Sequence, residues 1–248
     1  YTTLFRSIIF GDPNLHIVPP QRTQSLDYAD TEAKERRVLD SREIVQLSGS
    51  FSSPSLNGKA DFFVKDTEEY YLLGGQNVSR VGNTLFRGKV SVSDSEFDAG
   101  FIVPDDTQRG DDAVAYSYIW DEAQEQGYIS YLHPISTSGQ ADPNAAANEA
   151  PPVIKLYLDS EGYKDGDKVG LSPMLYAKIS DENGINATGV SGHNIILSLD
   201  GSTQINSISE YFEYDLDSYT SGSLKYRIPE LEPGAHTLQL IVFDNHNL

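Results

Sequence analysis

No cysteine occurs anywhere in the 248 residues. That excludes a disulfide framework, a thiolate metal site and a thiol nucleophile within the chain. Basic residues are scarce: 18 Lys and Arg stand against 37 Asp and Glu, a formal charge of −19. Such repulsion opposes close approach to nucleic-acid phosphates, so nucleic acid is excluded as a partner. Histidines number five, scattered as His16, His133, His193, His236 and His246, with no HExxH pattern, so zinc would have to make do with isolated imidazoles and carboxylates. No apolar run approaches the ~20 residues a membrane-spanning helix needs, and the N-terminus lacks the basic, apolar, small-residue order of a signal peptide.

What is present is globular material: 38% hydrophobic and 22% charged residues, enough for packed cores and too mixed for disorder. The length suits one or two domains. The opening "YTTLFRSIIFGDP" has the texture of a strand entered part way through a larger protein. β-rich runs follow at 42–51, 59–66, 84–93, 97–104, 113–120 and 127–135, separated by turn residues at the short intervals of a β-sandwich. Asn57-Gly58 predicts a type I′ hairpin, since both residues accept φ > 0. Residues 26–40 have helical composition with poor apolar spacing and predict a short exposed helix. Residues 137–150, small, polar and bordered by proline, have nothing to bury and predict an interdomain linker. A second strand set occupies 152–160, 170–181, 193–201, 222–231 and 236–244, with hairpin chemistry at Asp200-Gly201. The expected fold class is therefore all-β, two tandem immunoglobulin-like sandwiches at 21–136 and 151–248, the second one incomplete at its end.

Four stretches carry a family resemblance: "IIFGDPNLHIVPP" (8–20), "TLFRGKVSVSDSEFDAGFIVPDD" (84–106), "DENGINATGVSGHNIILSLDG" (181–201) and "YFEYDLDSYTSGSLKYRIPELEPGAHTLQLIVFD" (211–244). In this order they resemble the region that follows the catalytic domain in gingipain-type cysteine peptidases, most closely the C-terminal signal peptidases, or sortases, of the type IX secretion system of Bacteroidetes. The resemblance implies that "GDP" closes an α/β catalytic domain, of which residues 1–20 would be the remnant, and that two immunoglobulin-like sandwiches follow. It implies a cell-surface, outer-membrane-associated parent enzyme that removes the sorting domain of secreted cargo. It also implies an outer-membrane barrel partner of the PorV type and cargo carrying a C-terminal sorting domain. The family's catalytic Cys and His lie upstream of "GDP", so this chain is expected to hold no catalytic, cofactor-binding or metal-ligating residue. Ser191 and Asn194 stand where the family pattern has glycine and aspartate.

Three clusters invite chemistry. His193 beside Asp181 and Glu182 has the ingredients of a general base with an orienting carboxylate, but only Thr188 and Ser191 are near as nucleophiles. The plainer role is structural: Gly184, Gly189 and Gly192 let the loop fold back, and one ring N–H of His193 ties it down. The acidic loops 105–112 and 159–170 offer oxygen ligands for calcium, but neither has EF-hand spacing, since Tyr163 and Lys164 break the pattern. Solvated loop charge is the simpler account. Tyr70, Tyr71, Tyr116, Tyr118, Trp120 and Tyr128, with Tyr211, Phe212, Tyr214 and Tyr219, suggest either a carbohydrate or peptide platform or cross-strand and core packing, and alternation along 113–120 favours packing. Asn77 and Asn186 match the N-glycosylation acceptor pattern by chance. Two functions remain: the accessory, partner-docking sandwiches of a sortase, or an adhesin or carbohydrate-binding module, calcium-stabilised in one version.

Overall fold

Period-2 alternation dictates the core. Along 58–65 it places Ala60, Phe62 and Val64 on one face, and all three are buried, because successive residues of a strand point to opposite sides of its sheet. A computed structural model describes residues 20–29, 37–53, 55–145, 148–190, 193–201 and 206–248. The "GDP" motif and the expected catalytic-domain remnant at 1–19 lie outside these residues.

The first half of the chain contains β1 (Gln21–Thr23), β2 (Leu26–Tyr28), β3 (Val38–Ser41), β4 (Ile44–Ser50), β5 (Gly58–Lys65), β6 (Glu69–Leu73), β7 (Gln76–Arg80), β8 (Thr84–Val92), β9 (Glu96–Ile102), β10 (Gly110–Asp121) and β11 (Gln126–Ala141). One sheet has the order β1-β11-β10-β5-β8, with β3 also paired to β11, and a second has the order β2-β4-β9. Phe62 and Phe86 from the first sheet meet Phe101 from the second at ring separations of 6.5 and 6.3 Å, closing a sandwich. The second half contains β12 (Val153–Leu158), β13 (Met174–Ser180), β14 (Ile196–Leu199), β15 (Asn206–Ser207), β16 (Phe212–Tyr214), β17 (Ser221–Arg227) and β18 (Leu238–Ile241). Its sheets run β12-β13-β17-β16 and β15-β14-β18, with Leu175, Ala177, Ile179, Leu197 and Leu224 inside. The architecture is thus all-β sandwiches, as the sequence predicts.

Three local expectations need correction. Leu26–Tyr28 and Val38–Ser41, the ends of the predicted helix, are strands that bury Leu26 and Leu39; residues 30–36 lie outside the described ones. Tertiary pairing overrides helical composition here, since β11 has an edge open to β3 and runs parallel to it. Asn57-Gly58 makes no hairpin: β4 pairs with β9 and β5 with β8, so the chain crosses between sheets at this point. The Asn57 side chain instead accepts the Asp94 N–H at 3.1 Å. Finally, β11 continues to Ala141, five residues into the stretch predicted as linker, because Ser136–Ala141 has β3 to pair with.

Candidate functional site at the junction of the sandwiches

The glycine-rich loop that precedes β14 is a clasp. The Asp181 carboxylate accepts the Asn183 N–H at 2.7 Å, which turns the chain, and Gly184 then takes φ +72°. A Cβ there would stand 2.6 Å from Asn245 Nδ2 and 2.8 Å from the Tyr219 carbonyl oxygen, so only glycine fits this approach. Asn186 Oδ1 accepts the Thr188 hydroxyl at 2.7 Å, and Gly189 bends the chain again at φ +76°. These turns aim two side chains at the other sandwich. Asn186 Nδ2 donates to Asp106 Oδ2 at 2.6 Å and to Asn247 Oδ1 at 2.9 Å, and His193 Nδ1 meets Asp106 Oδ1 at 2.9 Å.

The carboxylate partner of His193 is therefore Asp106, 87 residues away, and neither Asp181 nor Glu182. Asp181 serves the Asn183 turn, its carboxyl pushed up by burial and by the nearby Asp244 charge; Glu182 accepts from Asn148 at 3.2 Å. The Thr188 hydroxyl is committed to Asn186, and Ser191 and Gly192 lie outside the described residues. Asp105 completes the clasp: Arg42 grips its carboxylate with Nε at 2.8 Å and Nη2 at 2.5 Å, while its N–H donates to the Asn245 carbonyl at 2.9 Å. Asn186 is fully buried, so the acceptor pattern at 186–188 is closed to any glycosylating enzyme. In place of a general base, the loop supplies a hydrogen-bonded lock with few free polar ends.

A second patch holds the same two bodies together. Tyr214 on β16 stacks on Phe86 of β8, with ring centroids 4.6 Å apart and planes 15° from parallel. Phe86 also touches Phe62 and Phe101, so one apolar core runs through both sandwiches. The Tyr214 hydroxyl donates to the Ile185 carbonyl at 2.8 Å and accepts the Ile185 N–H at 2.6 Å; burial drives its pKa well above the usual phenol value. Around this centre, Arg87 donates to the carbonyls of Glu210 and Phe212, and Lys89 pairs with Glu213. Asp217, at φ +56°, accepts the Ser91 N–H at 2.7 Å and its hydroxyl at 2.6 Å, and donates its own N–H to the Lys89 carbonyl at 2.9 Å. A cleft of about 320 Å³ lies beside the patch, bordered by Gln46, Lys89, Asp98, Asp217 and Tyr219.

The other predicted clusters fall elsewhere. In 159–170, Asp159 accepts the Met174 N–H, Asp167 the Lys164 N–H, and Glu161 pairs with Lys178, so these carboxylates already have protein donors. Among the described residues, no group of three or more His, Asp and Glu side chains stands in metal-ligating geometry. Tyr116, Tyr118 and Trp120 face away from the core, which takes Ala113, Ala115, Ser117 and Ile119 from the same strand. Cross-strand packing holds at Tyr116, stacked on Phe63 at 5.1 Å, but Trp120 is 45% exposed. Sequence reasoning missed Asp106, Arg87 and Tyr214 as junction residues, and it missed the β6–β7 hairpin. A Gly-Gly pair between "YYLL" and "QNVS" is the signal that could have revealed the hairpin.

Tandem sandwiches locked at a buried junction, in a chain without a single cysteine, define an all-β region that carries no thiol nucleophile of its own. Among solved structures, the chain is similar to dimeric latent PorU from Porphyromonas gingivalis, with 25% sequence identity, a TM-score of 0.50 and 96% of this chain covered. The match takes in 24% of that chain, so this protein is PorU-related in fold over almost its whole length while spanning about a quarter of the PorU molecule. No protein-family model matches the sequence, and no curated protein matches it.

Proposed function

We propose that this chain is the accessory, non-catalytic region of a type IX secretion sortase, acting as a rigid spacer and docking body beside a cysteine-peptidase domain at the cell surface. The observation that carries this reading is the similarity to latent PorU across 96% of the chain, in a sequence that lacks the residue needed for thiol chemistry. The buried junction supports it: two sandwiches sharing a core behave as one lever, which is what positioning a separate catalytic domain requires. Its partners in this reading are an outer-membrane barrel of the PorV type and cargo bearing a C-terminal sorting domain. The test is to titrate the purified chain against a PorV-type barrel in detergent micelles and to incubate it with sorting-domain cargo. Binding without cleavage is expected. Cleavage by the chain alone would overturn the non-catalytic role, and absence of binding would overturn the docking role.

The outward Tyr116, Tyr118 and Trp120 stripe favours a second reading, a carbohydrate-binding or adhesive module. Binding to glycans, or a melting temperature raised by calcium, would favour this module over the sortase region.

A further inference from the structure

The β6–β7 hairpin is the least explained part of the molecule. Leu72 and Leu73 at its tip are 74% and 69% exposed, and Tyr70, Tyr71, Val78 and Val81 are exposed as well. The register settles their directions. Tyr71 stands opposite Val78 and Tyr70 opposite Ser79, so Tyr71, Leu73 and Val78 lie on one face of the ribbon and Tyr70 and Leu72 on the other. Each face therefore presents large exposed apolar side chains, the second beside Asn77 and Ser79 and the first beside Gln76. A single protein groove covers one face of a ribbon, whereas a surrounding apolar medium covers two.

Three further features fit a lipid interface. Residues 70–79 contain no charged side chain in a chain of net charge −19. The apolar residues are ordered by height, with tyrosines toward the body and leucines at the tip, as aromatic belts sit at headgroup level with aliphatic residues deeper. Tyr71 to Leu73 is two residue steps, about 7 Å of strand, matching the ~5–10 Å to which interfacial segments sink. The finger is also held ready. Gly74 and Gly75 take φ +57° and +82°, the two left-handed positions of a type I′ turn. At the base, Glu69 accepts Gln108 Nε2 at 3.1 Å and the Asp66 N–H donates to the Asn83 carbonyl at 2.9 Å. Glu68, Asp111 and Asp112 put negative charge near Tyr70 at that base, and this charge opposes an anionic surface.

We propose that the β6–β7 hairpin is a membrane-contacting finger that seats Leu72 and Leu73 in the interface of a zwitterionic bilayer, with Tyr70, Tyr71 and Val78 at its rim. The two-residue depth leaves the ribbon's open backbone edges in the hydrated headgroup zone, where water satisfies them. The assignment stands on the hairpin alone and does not depend on the sortase reading.

The test uses the whole 248-residue chain with phosphatidylcholine vesicles. Sedimentation with vesicles is expected, and Leu72→Ser/Leu73→Ser should weaken it about tenfold, from the loss of two partly buried leucines. Because both residues are exposed, the double variant should keep its far-UV circular dichroism. Leu72→Trp should give emission that shifts to the blue on adding vesicles, beyond any change from Trp120. Added phosphatidylglycerol should lower binding and salt should restore it, the reverse of a basic membrane binder. The proposal is overturned if the chain does not sediment with vesicles, or if the double variant binds as the parent does. It is equally overturned if the two serines abolish only self-association in sedimentation velocity, or only binding to a barrel protein in micelles; those outcomes would assign the hairpin to a second copy or to a protein pocket.

Discussion

Replacing Tyr214 by Phe removes one oxygen from the centre of the junction and leaves the ring stack on Phe86 in place. That oxygen is the partner of both the N–H and the C=O of Ile185, at 2.6 and 2.8 Å, in a residue with no solvent exposure. Each backbone group left without a partner costs at least about 1 kcal/mol, so the pair together should destabilise by about 2 kcal/mol or more, near the top of what single substitutions do. Urea unfolding should be followed by two probes: far-UV circular dichroism for the whole chain, and fluorescence of Trp120, the one tryptophan of the chain, which sits on β10 in the first sandwich. With a slope of about 2–3 kcal/mol per molar urea, both midpoints should fall together by roughly 1 M. The substitution lies in the second sandwich and the tryptophan in the first, so a coincident shift reports their coupling. An unmoved Trp120 transition, or a loss under about 0.5 kcal/mol, would refute the reasoning.

Gly184→Ala should lower the melting temperature by about 5–10 °C, since a strained left-handed residue costs about 1–3 kcal/mol before its Cβ meets Asn245 and the Tyr219 carbonyl. Asp106→Ala should cost about 1–3 kcal/mol by stripping the acceptor from both Asn186 and His193, and chemical denaturation will measure it. Asp66 gives a pH-dependent case. Burial raises its pKa from 3.8 to about 6, against the opposing pull of the Gln108 and Thr67 N–H groups. The folded value lies above the unfolded one, so the stability this group contributes is complete below pH 3.8 and is lost as pH rises through about 6. Asp66→Asn should therefore stabilise by about 1–2 kcal/mol near pH 8, after the loss of one acceptor, and destabilise slightly near pH 4; unfolding curves of both proteins at the two pH values will show whether the sign reverses.

Most strands were legible because burial on one face writes itself into alternation, as at Ala60, Phe62 and Val64 or at Ala113, Ala115 and Ser117. Pairing was not. Nothing local in Asn57-Gly58 says that the strands on either side belong to different sheets, and Asp94-Ser95, with φ of +50° and +69° and no glycine, makes a tight turn closed by a single Ser93–Glu96 bridge, beyond which β8 and β9 also part into different sheets. Leu26 and Leu39 carry helical neighbours and are claimed by long-range partners. The β6–β7 hairpin escaped notice because it buries neither face and so has no alternation to read. The junction was half legible: the glycines of 181–189 announced a folded-back loop and His193 a tether, but its anchor, Asp106, is 80 residues from Asn186, and no local pattern encodes that distance. Four stretches, the GDP motif among them, carried the family likeness, and the structural match to PorU covers 96% of the chain.

The central claim is that the two sandwiches are locked into one body, and hydrogen exchange at the amides that cross the junction tests it most directly. The Asp105 N–H donates to the Asn245 carbonyl, the Asp217 N–H to the Lys89 carbonyl and the Ser91 N–H to the Asp217 carboxylate. Exchange at all three should be as slow as in the core strands β13 and β17, opening only with global unfolding. Fast exchange at these amides alongside protected cores would show two bodies that swing freely, and would contradict the account.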